Sequence, residues 1–212
     1  MNAPLVKICG LTTIEDTLAA IEMGADWLGF NFYSESPRFL SYENALQIFQ
    51  EIPSSIPKVG VFVNEERELV LDLACQLELD YLQFHGDESP EYCNAIGRDW
   101  FKACRLMEES ALEHIPEYDC DFLLVDAGVN GQYGGTGEQA DWDLARRSKN
   151  FGKKIILAGG LTPSNVQVAI ATVQPFGVDV ASGVEKKPGV KDHRKMEDFI
   201  NKAKSVSLRV LS

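Results

Sequence analysis

The 212 residues suit one large domain or two small ones, and 45% hydrophobic with 25% charged residues is the make-up of a soluble globular chain. A net charge of −12 argues against a nucleic-acid or anionic-membrane surface, yet leaves room for an anionic small molecule held locally by backbone amides and an arginine. No stretch reaches the roughly 18 consecutive apolar residues that span a bilayer, and the five cysteines, Cys9, Cys75, Cys93, Cys104 and Cys120, form no CxxC pair. Scattered thiols fit neither a zinc site nor a disulfide framework, so a reducing cytoplasm is the expected compartment.

The first apolar run, Leu5–Cys9, alternates Val6 and Ile8 with Lys7 and Cys9. The amine and the thiol therefore share one face. Their position also interrupts the only short apolar run near the start, so no leader peptide is expected. Thr13–Met23 carries helical period, with Ile14, Leu18 and Ile21 on one stripe. A second run, Trp27–Phe32, leads into SESPRFLS, which holds Arg38, and Ser41 is placed to cap a helix over Tyr42–Gln50.

Further strand-like runs follow at Lys58–Val63, Tyr81–His85, Trp100–Arg105, Phe122–Asp126, Lys154–Ala158 and Val178–Ala181. Glu65-Glu66 and Glu108-Glu109 read as acidic helix starts, and Thr162 followed by Pro163 as a cap and first helical residue. GVNGQYGGTG, Gly128–Gly137, is the longest glycine-rich loop and is expected to close over a ligand. An amphipathic segment from Asp192 to Lys204 ends the pattern. His114 and His193 read as solvated.

Eight strand-then-helix units with no linker between them predict an α/β protein, a (β/α)8 TIM barrel forming one domain over residues 1–212. A doubly wound open sheet is the alternative. In such barrels the site lies at the carboxyl ends of the strands, where this sequence places Cys9, Arg38, His85, Asp126, Gly159-Gly160 and Ser182-Gly183. The two glycine turns follow the seventh and eighth strands, and Gly160, Ser182 and Gly183 are the expected phosphate contacts. Asp126 serves as a general acid or as a loop-fixing group. Cys9 is either a packed apolar residue or, with Lys7 nearby to favour the thiolate, a base. Asp179 shares the inward phase of Lys7 and offers it a partner. Arg38 fits either a carboxylate grip or a surface charge.

KICG, GADWLGFNFY with SPRFLS, VGVFVN, LQFHGDE, LLVDA, LAGGLTPSNV and DVASGVE, in that order from Val6 to about Asp192, resemble phosphoribosylanthranilate isomerases. The resemblance implies an Amadori rearrangement of a phosphosugar substrate in tryptophan biosynthesis, with no metal or organic cofactor. It implies Cys9 as general base, Asp126 as general acid and Arg38 as the anthranilate carboxylate grip. His85, Gly159, Gly160, Ser182 and Gly183 complete the expected substrate contacts, in a monomer or homodimer. Three positions depart from the family's usual pattern: Asn31, Glu138 and Ala181. Another phosphosugar isomerase or an aldolase is the competing enzyme reading; an aldolase needs a lysine at a strand's carboxyl end, whereas Lys7 and Lys102 lie earlier. A phosphate-binding barrel without catalysis is the non-enzyme alternative.

Overall fold

The structure, a computed structural model, describes residues 3–106, 108–126 and 141–208. Eight parallel strands close into a barrel in chain order: β1 (Leu5–Cys9), β2 (Trp27–Asn31), β3 (Lys58–Phe62), β4 (Tyr81–Phe84), β5 (Trp100–Arg105), β6 (Phe122–Asp126), β7 (Lys154–Leu157) and β8 (Gly177–Val180). β8 pairs with β1 as well as with β7, so the open-sheet alternative is excluded. Predicted ends overshoot by one residue at Val63 and Ala181, and likewise at three others, Phe32, His85 and Ala158. Each of these three still donates a ladder-like bond, to Val61 O, Phe62 O and Val125 O respectively.

Helices α1 (Ile14–Glu22), α2 (Tyr42–Phe49), α3 (Arg67–Gln76), α4 (Pro90–Asn94), α5 (Trp142–Ser148), α6 (Val166–Val173) and α7 (His193–Lys204) lie between and after the strands. Several starts are written locally. Thr13, Ser41 and Ser89 accept from backbone N–H groups of the first turn, as do Asp141 and Asp192.

Thr162 and Pro163 do not open α6 as the sequence suggests. The Asn165 side chain accepts from Thr162 N at 2.8 Å, and the Thr162 carbonyl accepts from Asn165 N and Val166 N. These bonds form a turn that delays the helix to Val166. The fifth unit likewise holds a 3-10 helix, Glu109–Glu117, with Pro116 inside it. Beyond β8 come a short 3-10 turn, Ser182–Val184, and a hairpin of β9 (Glu185–Lys187) and β10 (Val190–Lys191). Strands so short carry no periodicity to predict them.

Strand alternation sorts the chemistry. Val6 and Ile8 are fully buried in the shell between barrel and helices. Trp27, Val59, Phe101, Ala103, Phe122, Leu124, Ile156 and Ala158 fill the barrel itself. At its amino end Trp27 stacks on Tyr81 at 4.6 Å and meets the edge of Phe122 at 5.2 Å, which plugs the interior with aromatic surface. Above that plug the interior turns polar. Lys7 Nζ donates to Asp179 Oδ1 at 2.7 Å, and the two residues are register partners across the β1–β8 seam. Lys102 faces outward and donates to the Phe84 and Gly86 carbonyls and to Glu88 Oε2, so it clasps the loop after β4. No helix among the described residues is long and apolar enough to cross a membrane.

The seam pair generates a stability prediction. Asp179→Ala leaves a fully buried ammonium unpaired and should cost about 3–5 kcal/mol in urea unfolding. Lys7→Met combined with Asp179→Leu should recover most of that loss, because apolar groups replace both charges. A single variant as stable as the parent would refute the pairing as a structural constraint.

Candidate active site

The turns after β7 and β8 touch each other. Gly159 and Gly160 hold φ of 78° and 62°, left-handed backbone that favours glycine. A Cβ on Gly183 would collide with the Leu161 carbonyl oxygen, so this approach too requires glycine. Between them lies a cavity lined by Asp126, Gly159, Gly160, Ser182 and Gly183, with Asp179 below. Ala181 also lines it.

Asp126 is buried, and His85 Nε2 stands 3.3 Å from its Oδ2, within ion-pair reach but off the line of a good hydrogen bond. His85 Nδ1 meets the Gln83 amide nitrogen at 2.8 Å. With that amide donating, Nδ1 is the acceptor, and a neutral ring turns its N–H toward the carboxylate. His85 therefore stands with Asp126, on the same side of the mouth.

Cys9 sits across the mouth at the end of β1, 9% exposed. A Cβ on Gly29 would lie 2.9 Å from both Cys9 Sγ and Lys7 Nζ. The glycine in β2 thus leaves the room in which the amine lies beside the thiol. Burial pushes the Cys9 thiol up, Lys7 and Lys191 pull it down, and Asp179 pushes it up again, for a net rise above its ordinary value. The sequence expectation had the sign of the Lys7 effect right, but desolvation is larger.

Arg38 is no surface charge. It is 9% exposed, and its Nε and Nη2 donate to Glu185 Oε1 and Oε2 at 2.8 Å each. Its stem crosses Gly10, where any Cβ would collide with Arg38 Cδ. Lys191, also buried, donates from Nζ to the Cys9 carbonyl at 2.6 Å, to Glu185 Oε1 at 3.0 Å and to the Ala181 carbonyl at 3.3 Å. Burial opposes the charge of Glu185, but Arg38 and Lys191 outweigh it and hold the carboxyl below its usual range.

Sequence reasoning missed Glu185, Lys191 and Gly29. The Pro188-Gly189 dipeptide between basic residues was the available sign of a hairpin here. His193 is only partly solvated, because its Nε2 pairs with the buried Asp16 Oδ1 at 2.7 Å, whereas His114 is exposed as expected. The Asn31 side chain accepts from Tyr33 N at 2.9 Å and ends β2. Lys7 is fully buried at the β1–β8 seam and Lys102 faces outward, so neither of the two lysines weighed for an aldolase presents its amine at the mouth. The Gly128–Gly137 loop and Glu138 lie outside the described residues.

A family model described as N-(5'phosphoribosyl)anthranilate (PRA) isomerase matches residues 6–202. The N-(5'-phosphoribosyl)anthranilate isomerase of Geobacter sulfurreducens is 48% identical over 199 residues, 94% of this chain and 98% of its own. Monomers of the dimeric phosphoribosylanthranilate isomerase of Thermotoga maritima share 40% identity at a TM-score of 0.86, over 96% of this chain and 100% of theirs. A phosphoribosyl anthranilate isomerase solved with reduced 1-(o-carboxyphenylamino)-1-deoxyribulose 5-phosphate gives a TM-score of 0.85 at 39% identity, over 96% and 100% of the two chains.

The Cys9 environment predicts its titration. The thiolate absorbance of the parent minus that of Cys9→Ser should rise with a midpoint above the ordinary cysteine value of about 8.5. Deprotonation follows as pH climbs through that raised value. Lys7→Met should move the midpoint higher still, because the thiolate loses its nearest cation. A midpoint below the ordinary value would show that burial does not dominate.

Proposed function

Because this chain belongs to the N-(5'-phosphoribosyl)anthranilate isomerase family, we propose that Cys9 and Asp126 divide the acid–base work of its reaction between two strand ends. That reaction converts N-(5-phosphoribosyl)anthranilate to 1-(2-carboxyphenylamino)-1-deoxyribulose 5-phosphate, an Amadori rearrangement in tryptophan biosynthesis. The observation that carries the assignment of roles is the shared cavity of Asp126 with Gly159, Gly160, Ser182 and Gly183. A phosphate held by the glycine turns brings the ribose against the carboxyl.

Asp126 gives a proton to the furanose oxygen as the C1–O bond opens, leaving an iminium between C1 and the anthranilate nitrogen. The iminium acidifies the C2 hydrogen, which the Cys9 thiolate removes, and the electron pair left at C2 forms the enolamine. The C2 hydroxyl then gives its proton to the Asp126 carboxylate while the Cys9 thiol returns one to C1, so the ketone results and both groups regain their starting states. Proton count is conserved, as an isomerisation requires. Lys7 serves this step by offsetting part of the burial that opposes the thiolate. His85 keeps the Asp126 carboxyl oriented at the substrate's edge. Arg38 takes the anthranilate carboxylate with the Nη1 side of its fork, which Glu185 does not engage.

The free thiols are consistent with a cytoplasmic site of action. The relative from Thermotoga is described as dimeric, and a homodimer is the assembly proposed for this chain.

Loss of phosphoribosylanthranilate fluorescence reports the reaction directly. Cys9→Ser and Asp126→Asn should each lower kcat by about 10²–10⁴-fold while KM changes little. If both variants retained the parental rate, neither residue would take part in the chemistry.

A further inference from the structure

We infer that Glu185 is a positioning residue for recognition of the substrate's carboxylate, acting through Arg38. The inference rests on the reading of Arg38 as the carboxylate grip. Glu185 touches no reacting atom. Its side chain is 4% exposed and faces that of Arg38, 10% exposed, through two bonds of 2.8 Å.

The geometry of this cluster sets the Arg38 fork in advance. Arg38 and Lys191 both donate to Glu185 Oε1, and Lys191 also holds the Cys9 carbonyl. The cluster therefore lies beside the mouth, where the Arg38 stem runs over Gly10. Glu185 engages Nε and Nη2, which leaves the Nη1 side of the fork for a second carboxylate. A fork already fixed by Glu185 loses little side-chain freedom on binding it.

Chain order adds a second argument. Glu185 follows directly on the Ser182–Val184 turn, which carries the proposed phosphate contacts. One short segment thereby sets the phosphate seat and, through Arg38, the carboxylate seat. The distance between the two anionic ends of the substrate is set by that segment, which makes Glu185 a determinant of which phosphoribosyl amines fit.

The test compares two substrates, phosphoribosylanthranilate and the phosphoribosyl derivative of aniline, which lacks the carboxylate. Glu185→Gln should lower kcat/KM for the first by about 10- to 100-fold, mainly through KM, and change the second by less than about twofold. Arg38→Met should show the same selectivity, and Glu185→Gln should add nothing in the Arg38→Met background. Glu185→Asp, which keeps the charge but retracts it, should give an intermediate and equally selective loss, and serves if Glu185→Gln does not fold. Equal losses on both substrates in the Glu185 variants would overturn the positioning role. Equal losses in Arg38→Met would instead overturn the carboxylate grip itself, and the inference with it.

Discussion

The Lys7–Asp179 pair sits where β8 closes on β1, and the organisation of the mouth depends on it. A fully buried ammonium has to find its anion, and across this seam only one register supplies it at 2.7 Å. A slip of one residue would turn Asp179 outward and leave Lys7 unpaired inside the barrel. The same register keeps the strand that leads into Ser182-Gly183 in phase with the strand that ends at Cys9. Closure and placement of the proposed base are thus a single constraint. Gly29 is part of it, since any side chain there would displace the amine or the thiol.

The interior is graded along its axis. Aromatic rings close the amino end, the ion pair occupies the middle, and Cys9, His85 and Asp126 ring the carboxyl end. The gradient agrees with a site at the carboxyl end, since the titratable groups gather there while aromatic rings fill the interior at the other. It also sets opposing demands on Cys9. Packing near the barrel interior raises the thiol, and the amine beside it lowers the thiol, so the strength of the proposed base is a difference between two opposing effects.

The segment after β8 does more than join the barrel to α7. Its turn meets the turn after β7, its Glu185 clamps Arg38 from the second loop, and its Lys191 reaches the Cys9 carbonyl. Lys191 N also donates to Asp16 at the start of α1. Elements from both ends of the chain are drawn together over the mouth by charged, buried side chains. Such a network holds only if every member is satisfied.

The amino-acid sequence alone determined what is periodic or local. Alternation in eight runs specified the barrel and put Lys7, Cys9, Asp126 and Asp179 on the inward face. Ser41 announced a helix start because a cap acts within three residues of itself. Where a local signal had two uses, the sequence did not discriminate, and Thr162-Pro163 went to a turn. Tertiary structure decided the rest. Whether Arg38 was surface or site depended on Glu185, 147 positions away, and the grip of Lys191 on Cys9 joins residues 182 positions apart. The direction of the Cys9 thiol's shift depended on burial, which no neighbouring residue encodes. Partnership at such separations is set by closure of the sheet, and a pattern read along the chain holds no term for that distance.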